Sequence, residues 1–156
     1  MNYEHKHEHT HCHEAGGCCC HMLTAENMQF IKQFRCTDKL PVSIFVLKCS
    51  KSEHVECIAL QPIFLYSRED SMEKVKVTAS MLKNLEEHGI IQVDYENRVD
   101  GYDYGVYESS DAYKYFEDAV REGRDKAGFL FDTAEQRYGS IALTPDGQNI
   151  VERSGI

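Results

Sequence analysis

TASMLKNLEEHGIIQVDY, residues 78–95, contains a helix, its stop and the strand that follows. Val75, Ala79, Leu82 and Leu85 recur at spacings of three and four, which puts apolar side chains along one face of an α-helix. Gly89 stands after His88 and before Ile90, where a helix commonly ends in a left-handed residue and glycine pays no steric penalty. Ile91, Val93 and Tyr95 then alternate with polar neighbours, the period of a half-buried strand. Upstream, Asp70-Ser71-Met72-Glu73 has capping-box spacing and places the helix start.

Working outward, Thr24 reads as the N-cap of an earlier helix reaching about residue 35, with Leu23 stapled onto Met28. Met28, Ile31 and Phe34 form its apolar stripe, and Glu26, Lys32 and Gln33 are left for solvent. Residues 42–47 and 58–66 read as strands, the second interrupted by Pro62. Ser109 or Ser110 caps a further helix that buries Ala112, Phe116, Ala119 and Val120 and stops at Gly123. Residues 129–131 and 141–143 read as short strands, and Thr144-Pro145 opens a last helix with a cap followed by proline. This mixture of helices and strands predicts an α+β fold. Tyr95, Tyr102, Tyr104, Tyr107, Tyr113 and Tyr115 crowd one region, as expected of amphipathic rings packed around a helix and a hairpin.

A chain of 156 residues accommodates one ordinary domain and a tail. The net charge is −9 and is uneven: residues 86–125 carry twelve acidic side chains against Arg98, Lys114, Arg121 and Arg124. That stretch repels phosphate and reads as a solvated face. No apolar run is long enough to cross a bilayer, and no secretory signal pattern opens the chain. Seven cysteines, an odd number with three adjacent, suit a reducing compartment better than a disulfide framework, so the expected location is the cytoplasm.

The amino-terminal residues have a different character. HKHEHTHCHEAGGCCCH, residues 5–21, holds six of the eight histidines and four of the seven cysteines. Imidazole and thiolate are the ligands that borderline and soft transition ions prefer, so the tail is expected to bind zinc first, with nickel or copper as alternatives. His5, His7, His9, His11 and His13 recur at a spacing of two, which lines an extended backbone along one edge with Cys12 on the other. Beyond Gly16-Gly17, the residues Cys18, Cys19, Cys20 and His21 complete a mixed nitrogen and sulfur set. The spacing is not that of a closed zinc module and suits a sponge or sensor arm. A purification tag and a polar terminus of incidental affinity are the blander readings, although interleaved glutamates and a triple cysteine make a poor tag. Cys49, His54 and Cys57, in the polar link KCSKSEHVEC, form a second candidate set that a turn would bring together. No Gly-rich phosphate loop, His-Glu-x-x-His helix or nucleophile elbow is visible, and His88 reads as a partner for a helix C-terminus, so catalysis is not expected.

The segment at 78–95 resembles the recognition helix and first wing strand of bacterial winged helix-turn-helix regulators of the MarR and PadR type. YGSIALTPDGQNIVE, residues 138–152, is similar to their second wing strand and the helix that follows. The resemblance implies a winged-helix-like single domain over residues 22–156, with a long wing insertion at 97–137, while the composition marks residues 1–21 as a disordered metal-binding tail. Strands around residues 42–66 stand where the family has a short helix before the recognition helix. It further implies DNA contacts from Arg68, Lys74, Lys76, Lys83 and Asn84, with Ser80 as a base or phosphate partner, against which Glu86, Glu87 and the acidic balance weigh. Two functions are therefore expected: a metal-responsive regulator, with a homodimer as one route of coupling, or a metal storage or delivery protein whose body contacts another protein instead of DNA.

Deleting residues 1–21 is expected to remove most of the tight sites for Zn(II), Ni(II) or Cu(I) in a competition titration, since thiolate and imidazole must both lose protons to ligate. Full metal stoichiometry in the truncated chain would place the sites elsewhere.

Overall fold

The computed structural model describes residues 23–124, 126 and 130–154. Thr24 caps the first helix, α1 (Ala25–Ile31), reciprocally: its hydroxyl accepts from the Asn27 amide and its own amide donates to the Asn27 side chain, both at 3.0 Å. The chain then tightens into a 3₁₀ turn (Lys32–Arg35). A hairpin follows, β1 (Lys39–Cys49) and β2 (Ser52–Ile63), then α2 (Met72–Glu87) and β3 (Ile91–Asp94). The short α3 (Gly105–Glu108) and the longer α4 (Asp111–Gly123) precede β4 (Thr133–Leu143) and α5 (Pro145–Ser154). The fold is α+β.

The four strands form one antiparallel sheet in the order β2-β1-β4-β3. β1 and β4 pair from Lys39 opposite Ala142 to Lys48 opposite Thr133. Directly opposed residues share a face, so Ser43, Phe45 and Leu47 lie with Tyr138, Gln136 and Ala134. α3 and α4 cover this face, burying Tyr107, Ala112, Phe116 and Val120 against Phe45, Ile63 and Tyr138. Phe45 stacks on Phe116 with ring centroids 5.0 Å apart.

On the opposite face, Leu40, Val42, Ile91 and Ile141 pack with Phe30 and Ile31 of α1, Leu82 and Leu85 of α2, and Ile150 of α5. α2 belongs to both cores, because Val75 joins the first cluster while Leu82 and Leu85 join the second. Farther along this face, Arg137 stands opposite Ile44 and Glu135 opposite Val46. Arg137 binds Glu56 in a fork at 2.7 and 3.0 Å and Glu135 at 2.5 Å, and Lys48 reaches Glu135 at 3.2 Å. The aliphatic stems of these side chains share the surface with Ile44 and Val46, both of which are buried. The Arg137 hydrogen bond, with its charge, lowers the Glu56 pKa; for Glu135, burial opposes ionisation but Arg137 and Lys48 outweigh it.

Several expectations need correction. The N-cap of α2 is Ser71, which accepts from the Lys74 amide at 3.1 Å; Asp70 is buried instead, accepting from the Tyr66 amide at 2.8 Å. α1 buries Phe30 alongside Ile31, leaving Met28 only partly covered. Ala119 is exposed on α4. The link at residues 48–57 is the turn and the strands of the hairpin, and β2 ends at Ile63. Residues 133–137, expected inside the wing insertion, are part of β4. Of the expected strand at 129–131, residue 129 lies outside the described residues and 130–131 are not in a strand.

Asp132 fastens the β1–β2 turn to the start of β4: its carboxylate accepts from the Ser50 amide at 2.8 Å and the Ser50 hydroxyl at 2.5 Å. Those bonds lower its pKa to about 2. Since the folded value lies below the ordinary one, Asp132 contributes stability above about pH 4, lost progressively as pH falls towards 2. An NMR titration should place its midpoint near 2, and Ser50→Ala should raise it; an unshifted midpoint in the native chain would contradict this geometry. At Gly139, an added Cβ would lie 2.1 Å from the Asp94 carbonyl oxygen, so Gly139→Ala must push β3 from β4. In urea denaturation it should cost about 1–3 kcal/mol.

Candidate nucleic-acid interface

α2 ends as its sequence demands. Gly89 has φ +75°, its amide donates to Glu86 and the Ile90 amide to Leu85, at 3.0 and 2.9 Å, the paired bonds of a Schellman cap. The chain turns directly into β3, which pairs with β4 from Ile91 opposite Leu143 to Asp94 opposite Ser140. The two segments that carry the family resemblance therefore lie against one another. Thr144 locks the joint, its amide donating to the Ile90 carbonyl at 3.1 Å and its hydroxyl to Gly89 and Ile90 at 2.5 and 3.1 Å.

With Val75, Thr78, Ala79, Leu82 and Leu85 inside, α2 presents Glu73, Lys76, Val77, Ser80, Lys83, Asn84 and Glu87 to solvent. Val77 is 61% exposed, an apolar side chain between lysines on a face with no apolar cover. Of the residues expected to contact DNA, Lys76, Ser80, Lys83 and Asn84 lie together on this surface. Lys74 sits on its flank, pairing with Asp70 at 3.3 Å and lying over the Tyr66 ring at 5.0 Å. Arg68 is exposed before the helix, and its carbonyl accepts from the Asp111 amide at 3.0 Å. Val77 was not legible as a surface residue, because an apolar side chain on a helix is expected to face inward, and Tyr66, expected in a strand, lies in the bend beyond β2.

The His88 ring nitrogen Nδ1 lies 2.8 Å from the Asn84 carbonyl oxygen, in the last turn of α2, as its helix-end role requires. Cys49 is buried at the end of β1, whereas His54 and Cys57 are exposed on β2. Among the described residues no three His, Cys, Asp or Glu side chains are grouped to hold a metal ion, so the hairpin does not gather this set. His5, His7, His9, His11, Cys12, His13, Cys18, Cys19, Cys20 and His21 lie outside the described residues.

The tyrosine-rich segment packs inward, as expected for most of its rings. The Tyr104 hydroxyl accepts from the Val99 amide at 2.9 Å and donates to the Gly139 carbonyl at 2.8 Å. Tyr107 accepts from Leu65 at 3.2 Å and donates to Pro41 at 3.3 Å, tying α3 to both strands of the hairpin's far end. Burial raises the pKa of both, and burial followed by Glu117 pushes Tyr113 up to about 12. Arg98 lies over Tyr138 and Tyr104 at 4.8 and 5.6 Å. Tyr115 is different, 62% exposed on a groove between α2 and α4 that Glu69, Glu73, Lys76 and Asp111 also line.

Comparison with protein families, with curated proteins and with solved structures finds no match to this chain. Among the described residues no helix is long and apolar enough to cross a membrane.

Proposed function

We propose that this chain is a cytoplasmic, metal-responsive regulator whose winged-helix-like body reads DNA through α2 and whose His/Cys-rich tail captures a transition ion, zinc first, with nickel or copper(I) as alternatives. The observation that carries the reading is the solvent face of α2. Val77, Ser80 and Asn84 offer an apolar contact and short hydrogen-bonding groups of the kind that address base edges, and Lys74, Lys76 and Lys83 flank them with phosphate-seeking charge. The β3–β4 pair beside the helix's end supports the wing, and its loop side is filled by α3 and α4. Metal changes DNA affinity only if the two DNA-binding states differ in metal affinity, and the tail supplies ligands for that linkage. No catalytic step is part of this reading.

One observation favours a second reading, a metal storage or delivery protein that docks on another protein. The groove between α2 and α4 joins exposed Tyr115 and Lys76 to Glu69, Glu73 and Asp111, a surface of net negative charge beside the proposed reading helix. A homodimer is compatible with either reading.

Charge reversal at two exposed α2 positions, Lys76→Glu with Lys83→Glu, is expected to abolish specific DNA binding with the circular dichroism spectrum unchanged. Single reversals should lower the slope of log affinity against log salt by roughly one each. Wild-type chain that binds no genomic DNA fragment at low salt, with zinc, nickel or copper(I) or with none, would replace the regulator by the delivery protein.

A further inference from the structure

A cleft of about 240 Å³ separates α1 from α2, lined by Glu26, Gln29, Tyr66, Lys74, Val77 and Met81. Its second wall is the flank of the helix face described above, and it is apolar where that face is most exposed: Val77 is 61% and Tyr66 43% open to solvent. Val77, Tyr66 and Met81 offer an occupant apolar contact between the charged groups of Glu26 and Lys74. The nearest unassigned polypeptide is the chain's own amino terminus. Twenty-two residues precede Leu23, and Leu23 packs against the core at the foot of α1. At about 1.5 Å per residue along a helix, Gln29 lies only ~9 Å from that junction, a gap that about three extended residues span. Attachment at such short range gives the tail a high effective concentration at the cleft, which no separate partner matches.

The position of the tail's ligands supports the same occupant. The tail carries Glu4, Glu8 and Glu14 against Lys6, and its cysteines become thiolates when they ligate a metal. Cys18, Cys19, Cys20 and His21 lie only a few residues before Leu23, so an ion held there stays near the mouth of the cleft. The groups it would face are the Glu26 carboxylate and the Lys74 ammonium, which lies over the Tyr66 ring at 5.0 Å and pairs with Asp70 at 3.3 Å. We infer that the metal-loaded tail seats in the α1–α2 cleft against Val77, Met81 and Lys74 and thereby masks the DNA-reading flank of α2. This rests on the regulator reading and gives it a direction: metal releases DNA.

Cobalt(II), a paramagnetic substitute for zinc, tests the docking in the full chain. Thiolate-to-cobalt absorption reports loading of the cysteines, and methyl NMR reports where the ion comes to rest. With cobalt bound, the methyl signals of Val77 and Met81 should lose most of their intensity while those of Ile58 and Val120 keep theirs, and zinc should cause no such loss. Val77→Asp, a change at an exposed position that leaves the core intact, should restore the Met81 signal without removing the absorption band. Normal absorption with Val77 and Met81 unaffected would overturn the docking and leave metal capture standing. Absence of the band would overturn both this inference and the metal-responsive reading.

Discussion

The carbonyl oxygen of Ile90 is where most of the architecture meets. Thr144 donates to it from both amide and hydroxyl at 3.1 Å, and α5 approaches so closely at Gly147 that an added Cβ would stand 2.2 Å from it. The same threonine hydroxyl accepts from the Gly147 amide at 3.0 Å, so one residue ends β4, starts α5 and holds the end of α2. A bulkier residue at position 147 has no room and a residue without a hydroxyl at 144 leaves a helix start uncapped. The left-handed Gly89 delivers Ile90 to that point. The angle between α2 and the β3–β4 pair, on which any reading of a groove by α2 depends, is fixed at this corner.

Features set by neighbours a few residues apart were readable in the chain. Thr24, Ser110 and Thr144 cap helices where their spacing predicts, and Gly89 stops α2, because caps and left-handed turns are local. Long-range partners were not readable. Residues 133–137, TAEQR, are expected inside the wing insertion, yet they lie in the strand paired along β1. Their polarity is explained only in three dimensions: Glu135 and Arg137 join the ion pairs beside Ile44 and Val46, and Gln136 accepts from Ser43 at 2.6 Å and donates to the Tyr107 carbonyl at 3.3 Å. The hairpin was obscured in the same way, since its outer strand is solvated and its charges serve Arg137. Phe30 was missed because the stripe through Met28 is nearly as plausible by period alone, and burial chose between them.

The long segment between β3 and β4 would be a liability unless tied down. Two phenols tie it: Tyr104 spans from Val99 to Gly139 and Tyr107 from Leu65 to Pro41, each accepting one backbone amide and donating to one carbonyl. A phenol is the side chain that does both while filling a core with its ring. Burial keeps both neutral, which preserves the donor proton. α4 then rests on Phe45, and its acidic outer surface is left to solvent. This region therefore braces the sheet from the side opposite α1 and α5.

That arrangement constrains how a tail at residue 23 can influence α2. Phe30 and Ile31 of α1 share a core with Leu82 and Leu85 of α2, and Phe30 packs edge-on to Phe64 at 5.2 Å. Interiors packed at crystal-like density resist displacement, so bending α2 through this core is costly. Covering its exposed flank displaces only water and a few surface side chains. Asp70 and the Tyr66 ring hold Lys74 at the edge of that flank, so an occupant meets a side chain already positioned. A switch built over the surface of α2 thus demands less of the fold than one built through it, and the cleft beside Val77 leaves room for it next to the tail's point of attachment.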